Sequence, residues 1–294
     1  MTSPKKVFMG TRPWSLPMFI VVLMIGFLSF NKAEFSLPVM LILMLAIVGE
    51  LLMHSATNIL NDVYDFYKGI DSPDLATLRY NFVFDKEVGP RRAQSISLVF
   101  FLSSAALGVA VAVLGRPLAI LLGLLGIFFG YFYSAPPLEL KYRALGDLAV
   151  IVSMLLLTLT GYYLASGSLS LKGLAVGIPM AFIIDDVLMA NNIRDLGRDS
   201  KRAKTLATVL GPELSKAIYY VFMSVAYVVQ AALVVLGILP PETLLSLLSL
   251  PLLFSIARKV KSTKSWLQID MMTANLAIVF GLFEIMGLIL HMTL

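Results

Sequence analysis

The stretch Asn58-Ile-Leu-Asn61-Asp62-Val-Tyr-Asp65-Phe-Tyr-Lys68-Gly69-Ile-Asp71 decides how this chain is read. Residues 35–60, which lead into it, carry one acid, Glu50, in an otherwise apolar run. A helix of that length crosses a hydrocarbon core of about 30 Å. Here it ends in a band of amides and carboxylates. At about 100° per residue, His54, Asn58, Asn61, Asp62 and Asp65 fall within roughly one third of the helix circumference. Acids at membrane depth are costly unless they line a wet cavity and find partners there.

A second band of the same kind lies further along. It reads Asp185-Asp186-Val-Leu-Met-Ala-Asn191-Asn192-Ile-Arg194-Asp195-Leu-Gly-Arg198-Asp199, and Asp185, Asn192, Asp195 and Asp199 share one face. Around and between the two bands are apolar segments with helix-like lengths. Helices are expected over about 14–31, 35–65, 93–115, 117–135, 145–167, 171–194, 214–238, 242–259 and 270–293. No run alternates as a membrane β-strand does. The first apolar run is too long for a signal-peptide core and lacks a small-residue cleavage site, so it reads as a retained span.

With nine spans, twenty Lys and Arg residues fall on one side of the membrane; only Lys32, Arg116 and Lys172 fall on the other. The positive-inside rule then puts the N-terminus and both acid bands on the cytoplasmic side and the C-terminus opposite. The fold expected is all-α and integral to the membrane, one domain over residues 1–294. Two parallel four-helix halves plus a ninth helix surround a central cavity open to the cytoplasmic side.

Composition agrees. Of 294 residues, 59% are apolar and 14% charged, against about 45–50% and about 25% in soluble domains. That excludes an ordinary soluble enzyme, a disordered chain and a disulfide-stapled domain. With no Cys and only His54 and His291, there is no thiolate nucleophile or Cys-ligated metal, and a multi-histidine site is nearly excluded. Chemistry must come from carboxylates, amides, bases and hydroxyls. Two oxygen-rich faces at one level suit Mg²⁺, with Mn²⁺ as an alternative. The bases Lys68, Lys141, Arg143, Arg194 and Lys204 suit phosphate oxygens. Acids for metal, bases for phosphate and an apolar cavity above them fit an enzyme that ionises a lipid diphosphate within the bilayer. No nucleic-acid partner is expected.

These residues resemble the UbiA superfamily of intramembrane prenyltransferases. The first signature stands as Asn61-Asp62-x-x-Asp65-x-x-x-Gly69-x-Asp71 and the second as Asn192-Ile-Arg194-Asp195-x-x-x-Asp199, followed by Lys204-Thr205-Leu206. Between them, Tyr131-Phe-Tyr133-Ser134-Ala135-Pro136-Pro137 with Lys141 and Gly146-Asp147 is similar to the family's tyrosine–proline loop. The opening Arg12-Pro13-Trp14-Ser15 and the Asn191-Asn192 pair resemble its menaquinone-pathway branch, the 1,4-dihydroxy-2-naphthoate prenyltransferases. Where many members have Asp, this chain has Gly69, with Asp71 two residues on.

The resemblance implies transfer of a prenyl group from a prenyl diphosphate to an aromatic or lipid acceptor. It implies metal held by Asn61, Asp65, Asp71, Asp195 and Asp199. Asp62, Asp65, Asp195, Asp199 and Tyr133 would be catalytic. Asn58, Asn61, Lys68, Tyr131, Lys141, Arg143, Asn192, Arg194 and Lys204 would contact substrate. Alternative acceptors are 4-hydroxybenzoate and a glyceryl-phosphate lipid. An ion-coupled transporter is the reading from another class, but its acids belong near the midplane, whereas these cluster at one face. A CDP-alcohol phospholipid synthase ranks low because its extended Asp-Gly-x-x-Ala-Arg signature is missing.

Overall fold

The structure, a computed structural model, describes residues 3–30, 35–71, 81–199, 203–262, 266 and 268–294. Within them every regular element is helical. A short helix α1 (Pro4–Gly10) precedes α2 (Leu16–Leu28), α3 (Leu37–Tyr67), α4 (Gly89–Val113), α5 (Ala119–Phe132) and α6 (Gly146–Ser166). Then come α7 (Leu171–Ala175), α8 (Ile178–Asp199), α9 (Leu206–Leu210), α10 (Pro212–Val235), α11 (Leu250–Ser262) and α12 (Ile269–Thr293).

Seven helical segments among the described residues are long and apolar enough to cross a membrane. They are α3, α4, α6, α7 with α8, α10, the segment Pro241–Lys261, and α12. The two remaining segments expected to span, α2 and α5, are apolar but only 13 and 14 residues long, about 20 Å of helix. Their ends are local events that apolarity does not mark. At α2 the hydroxyl of Ser29 donates to the Gly26 carbonyl at 2.8 Å, closing the last turn.

Two other segments depart from plain helices. The span expected over 171–194 is two helices joined at Val176 and Gly177. Pro179 in the first turn of α8 lacks an N–H, so the ladder of α7 cannot run through it. The eighth expected span begins as a 3₁₀ helix over Pro241–Ser249, in which Thr243, Ser246 and Ser249 each donate to the carbonyl three residues back. A 3₁₀ coil rises about 2.0 Å per residue, so this segment reaches further than its residue count as an α-helix would.

α3 is the longest element. Ser36 precedes it in extended conformation and Pro38 sits in its first turn, where the missing N–H costs nothing. It stops at Lys68 because Gly69 takes φ +65°, a left-handed conformation that costs glycine least. The chain then folds back, and Ile70 N–H donates to the Asp65 carbonyl at 2.8 Å. Gly69 is thus the residue at which the chain turns back after α3, ahead of Asp71.

α2 packs along α6, α12 crosses both α2 and α8, and α10 lies against α8. The α2–α6 approach is close because Gly26 faces the Thr158 backbone and Gly161 faces the Leu23 carbonyl. Small residues let membrane helices approach in this way. Leu23, Phe27, Tyr163, Met180 and Phe280 fill the core beside that contact. Outward faces carry exposed Leu102, Val221 and Val228.

Candidate active site

One cavity of about 1320 Å³ opens between the helices. Its interior wall is mostly apolar, with Leu23, Leu45, Val111, Leu122, Phe129 and Leu157 among its residues and Glu50 and His54 as its charged or titratable exceptions. Its mouth is polar. There the structure brings together Asn58, Asn61, Asp65 and Asp71, Tyr133 and Lys141, and Asn192, Arg194 and Asp195. The ends of α3 and α8 thus meet at one opening, with Tyr133 and Lys141 supplied by the loop that follows α5.

Each described acid of the two bands that faces this mouth already has a partner, a base for Asp65 and Asp195 and an amide for Asp71. The Lys141 ammonium stands 2.7 Å from both carboxylate oxygens of Asp65 and 2.8 Å from Asn61 Oδ1. Asn61 Nδ2 donates to Asp65 Oδ2 at 3.2 Å, and Tyr142 O–H donates to Asp65 Oδ1 at 2.8 Å. Burial first, then the Asp65 carboxylate, pushes the Tyr142 phenol above its ordinary range, so it stays a donor. On α8, Arg194 grips Asp195 from its neighbouring position, Nε to Oδ1 at 3.0 Å and Nη2 to Oδ2 at 2.7 Å. Its remaining Nη1 pairs with Asp270 at the start of α12. Asn81 Nδ2 donates to Asp71 Oδ2 at 3.0 Å.

Asp62 takes a different direction. It is 1% exposed, does not line the cavity, and pairs with Arg12. Arg12 sits between α1 and α2 at φ +56°, a conformation costing a non-glycine residue about 1–2 kcal/mol. Ser15 Oγ donates to its carbonyl at 2.8 Å and holds the turn. Burial works against the guanidinium charge, but Asp62, Asp65 and Asp71 outweigh it and hold its pKa above the ordinary value.

Four other predicted contacts stand off the cavity wall. Lys68 pairs with Glu139 at 2.8 Å and lies 4.8 Å from the centre of the Tyr142 ring. Tyr131 packs edge-on against Phe101. Arg143 donates to the Pro137 carbonyl at 2.9 Å. Lys204 contributes its backbone: Ala144 N–H donates to the Lys204 carbonyl, tying the loop after α5 to the loop after α8. Thr205 beside it caps α9 in a reciprocal bond with Thr208. The side chain of Asp199 lies outside the described residues. Asp185 is fully buried with both carboxylate oxygens unpartnered among the described residues, and it is not part of the cavity wall.

Sequence reasoning missed Asp270, Asn81 and Tyr142 as parts of this site. It also left Arg12 without a role. The signal for Asp270 was an acid in the first turn of a membrane helix, beside the motif bases in charge but not in sequence.

Among the described residues no three carboxylate or imidazole groups form a metal cluster. The donor chemistry nonetheless fits a hard cation. Oxygens from Asn61 and Asp65 converge on a single positive charge, the Lys141 ammonium, and carboxylate and amide oxygens are what Mg²⁺ takes. Bases that hold acids here are equally placed to hold phosphate oxygens.

Comparison with known proteins agrees with this geometry. The model of the UbiA prenyltransferase family matches residues 18–283. The chain is 27% identical to the 1,4-dihydroxy-2-naphthoate octaprenyltransferase of Bacillus subtilis over 279 residues, covering 92% of this chain and 86% of that protein. It is 31% identical to the UbiA prenyltransferase domain-containing protein 1 of Danio rerio over 294 residues, covering 96% and 83%. The fold matches that of a UbiA homolog from Archaeoglobus fulgidus bound to GPP and Mg²⁺, with a TM-score of 0.72 at 17% identity, over 98% of this chain and all of that one.

Proposed function

Because the chain belongs to the UbiA prenyltransferase family, we propose that it moves a prenyl group from a polyprenyl diphosphate to 1,4-dihydroxy-2-naphthoate, with Mg²⁺, at the cytoplasmic face of the cell membrane. The observation that carries this reading is the Lys141–Asp65–Asn61 cluster at the mouth of an apolar cavity. It sets a phosphate-binding base, a metal-binding acid and room for a hydrocarbon tail side by side. The likeness to the Bacillus subtilis enzyme supports the acceptor.

In this reading Asn61, Asp65, Asp71, Asp195 and Asp199 hold Mg²⁺, which when bound neutralises charge on the departing diphosphate. Lys141 and Arg194 turn from their acids to the diphosphate oxygens and stabilise the same charge. Arg12, anchored by Asp62, adds a third positive group at the mouth. Asn58 and Asn192 orient ligand oxygens. The Tyr133 ring lines the cavity at this level, where an aromatic face steadies an allylic cation. The prenyl tail lies along the apolar wall and never enters water. Asp62 acts through Arg12 rather than on substrate, and the Lys204 carbonyl and Arg143 keep the two loops joined.

The asymmetry of Lys and Arg supports nine crossings, with α2 and α5 as the two short ones, and an N-terminus in the cytoplasm.

The test is direct. Purified protein with Mg²⁺ and radiolabelled geranylgeranyl diphosphate is offered dihydroxynaphthoate, 4-hydroxybenzoate and geranylgeranylglyceryl phosphate in turn. Product is expected with the naphthoate and is lost in EDTA. Product with another acceptor alone overturns the substrate assignment; no product with any acceptor overturns the reading as a whole.

A further inference from the structure

Two glycines on the cavity wall have nothing facing them. Gly123, Gly126 and Gly130 share one face of α5 at about 100° per residue. A Cβ at Gly126 would meet Met53 and one at Gly130 would meet Thr57, so that face is turned to α3. A Cβ at Gly123 would meet no atom within 4 Å, and Gly123 lines the cavity. The pattern repeats on α4. There Ser97 and Ser104 donate to the α3 carbonyls of Ala56 and Gly49, both at 2.8 Å. Gly108 continues their face, lines the cavity, and again leaves a Cβ with no atom within 4 Å. Small residues ordinarily let membrane helices touch; these two keep a space open instead.

The same contacts fix how deep each glycine stands. Gly126 beside Met53 and Gly130 beside Thr57 put α5 in parallel register with α3, which places Gly123 level with Glu50. The two serine bonds run antiparallel and place Gly108 level with Leu45. Measured from Asn61 along α3, Gly123 is about 16 Å into the cavity and Gly108 about 24 Å. Just beyond, Val111, Ala119 and Leu164 are buried residues of the wall. The turn between α4 and α5 closes that end. It is tied to α6 by Arg116 Nε, which donates to the Leu164 carbonyl at 2.8 Å, and by Leu118 N–H, which donates to the Tyr163 hydroxyl at 3.0 Å.

A tail whose diphosphate is held at Asn61, Asp65 and Lys141 stays out of water by running this way. Level with Gly123, α3 presents Glu50, the one acid of the cavity wall away from the mouth. A hydrocarbon gains nothing against a carboxyl, so the tail lies on the α4 and α5 side, over the glycines. Four chain bonds of about 1.5 Å each advance it by about 5 Å per isoprene unit. A farnesyl tail, about 15 Å long, ends at Gly123; a geranylgeranyl tail, about 20 Å, passes it; a geranylfarnesyl tail, about 25 Å, passes Gly108 as well.

We propose that Gly123 and Gly108 set the length of prenyl tail that the cavity takes, Gly123 admitting the fourth isoprene unit and Gly108 the fifth. This ruler rests on the prenyl-transfer reading and adds to it the residues that choose the donor.

Each glycine is replaced by leucine, whose Cβ meets no neighbouring atom at either position and which is the better helix former. Detergent-purified protein with Mg²⁺ is read in two ways. One is turnover of farnesyl, geranylgeranyl and geranylfarnesyl diphosphates with dihydroxynaphthoate; the other is calorimetric binding of the unreactive thiolodiphosphates of the same tails. Gly123→Leu is expected to keep farnesyl within about twofold of wild type and to weaken both longer tails about tenfold or more. Gly108→Leu should keep farnesyl and geranylgeranyl within about twofold and weaken the geranylfarnesyl tail alone by about tenfold or more. The alanine variants, expected to shift the same tails by a smaller factor, decide the matter should a leucine variant aggregate on size exclusion. Equal weakening of all three tails, the same cut-off at both positions, or a wild type that takes no tail beyond farnesyl overturns the ruler. A wild type that binds the thiolodiphosphates and transfers nothing to any acceptor overturns the prenyl-transfer reading instead, and the binding series still decides the ruler. A wild type that binds none of them overturns both.

Discussion

Replacing Lys141 by Met tests the structure where its charges are most concentrated. The substitution keeps most of the side chain's length and removes three charge-assisted contacts of 2.7–2.8 Å. Asp65 keeps Asn61 and Tyr142 as donors but loses its ammonium, and its side chain is only 4% exposed. Removing one partner of a buried pair costs about 3–5 kcal/mol. For a chain of this size that lowers the melting midpoint by roughly 10 °C. The midpoint is read from the folded peak remaining on size exclusion after heating, in EDTA. Because Mg²⁺ would take the same Asp65 and Asn61 oxygens, millimolar Mg²⁺ is expected to restore most of the loss in Lys141→Met. It should stabilise wild type much less, and the double variant Lys141→Met/Asp65→Asn not at all. A variant melting within about 2 °C of wild type in EDTA refutes the energetic part. Equal stabilisation of all three proteins by Mg²⁺ refutes the claim that metal and lysine share those oxygens.

Other expectations use the same preparation. Arg12→Met strips a carboxylate that is 1% exposed of its guanidinium and should cost about 3–5 kcal/mol, most of it recovered in Arg12→Met/Asp62→Asn. A double variant no more stable than the single one would mean the pair is not a unit. Gly161→Leu drives a side chain into the Leu23 carbonyl of α2; overpacking of this kind costs about 1–3 kcal/mol or more, and a melting curve like that of wild type would show the α2–α6 contact to be loose. Asp195→Ala should abolish radiolabelled product while its size-exclusion peak persists, and a wild-type rate in that variant removes Asp195 from the machinery.

The periodicity of two helices was enough to bring most of the mouth together. Asn58, Asn61 and Asp65 share a face of α3, Asn192 and Asp195 share one of α8, and both faces line the cavity. Asp62 falls in the same third of the circumference but at its edge, where a 100° step turns it toward Arg12. No sequence pattern announces that, because it depends on a left-handed residue between two other helices. Asp270 was illegible for a related reason. It is 76 residues from Arg194, and helical spacing describes one helix and not which helix end meets which. Lys204 shows a third limit. Its amine was expected to bind phosphate, yet its backbone carbonyl is what the fold uses. Seven of the nine expected spans were legible by apolarity; the short ends of α2 and α5 were not, since a local bond such as that of Ser29 closes a turn without any mark in composition.

The pairing of mouth acids with bases also changes what binding must involve. An unpaired carboxylate beside an apolar cavity would be far more costly than one in water, so the ligand-free site is held together by Lys141 and Arg194. A diphosphate that attracts those bases leaves Asp65 and Asp195 in need of a cation, and a cation on the acids frees the bases for a diphosphate. Each ligand therefore prepares the site for the other, and by linkage the effect is equal in both directions. Inorganic diphosphate should raise the affinity of the protein for Mg²⁺ by about tenfold, and Mg²⁺ should raise that for diphosphate by the same factor after correction for the complex they form in solution. Calorimetric titration in both orders reads the two factors. Independent binding would mean that the bases and acids keep their partners, and that the charges at the mouth hold the fold and nothing more.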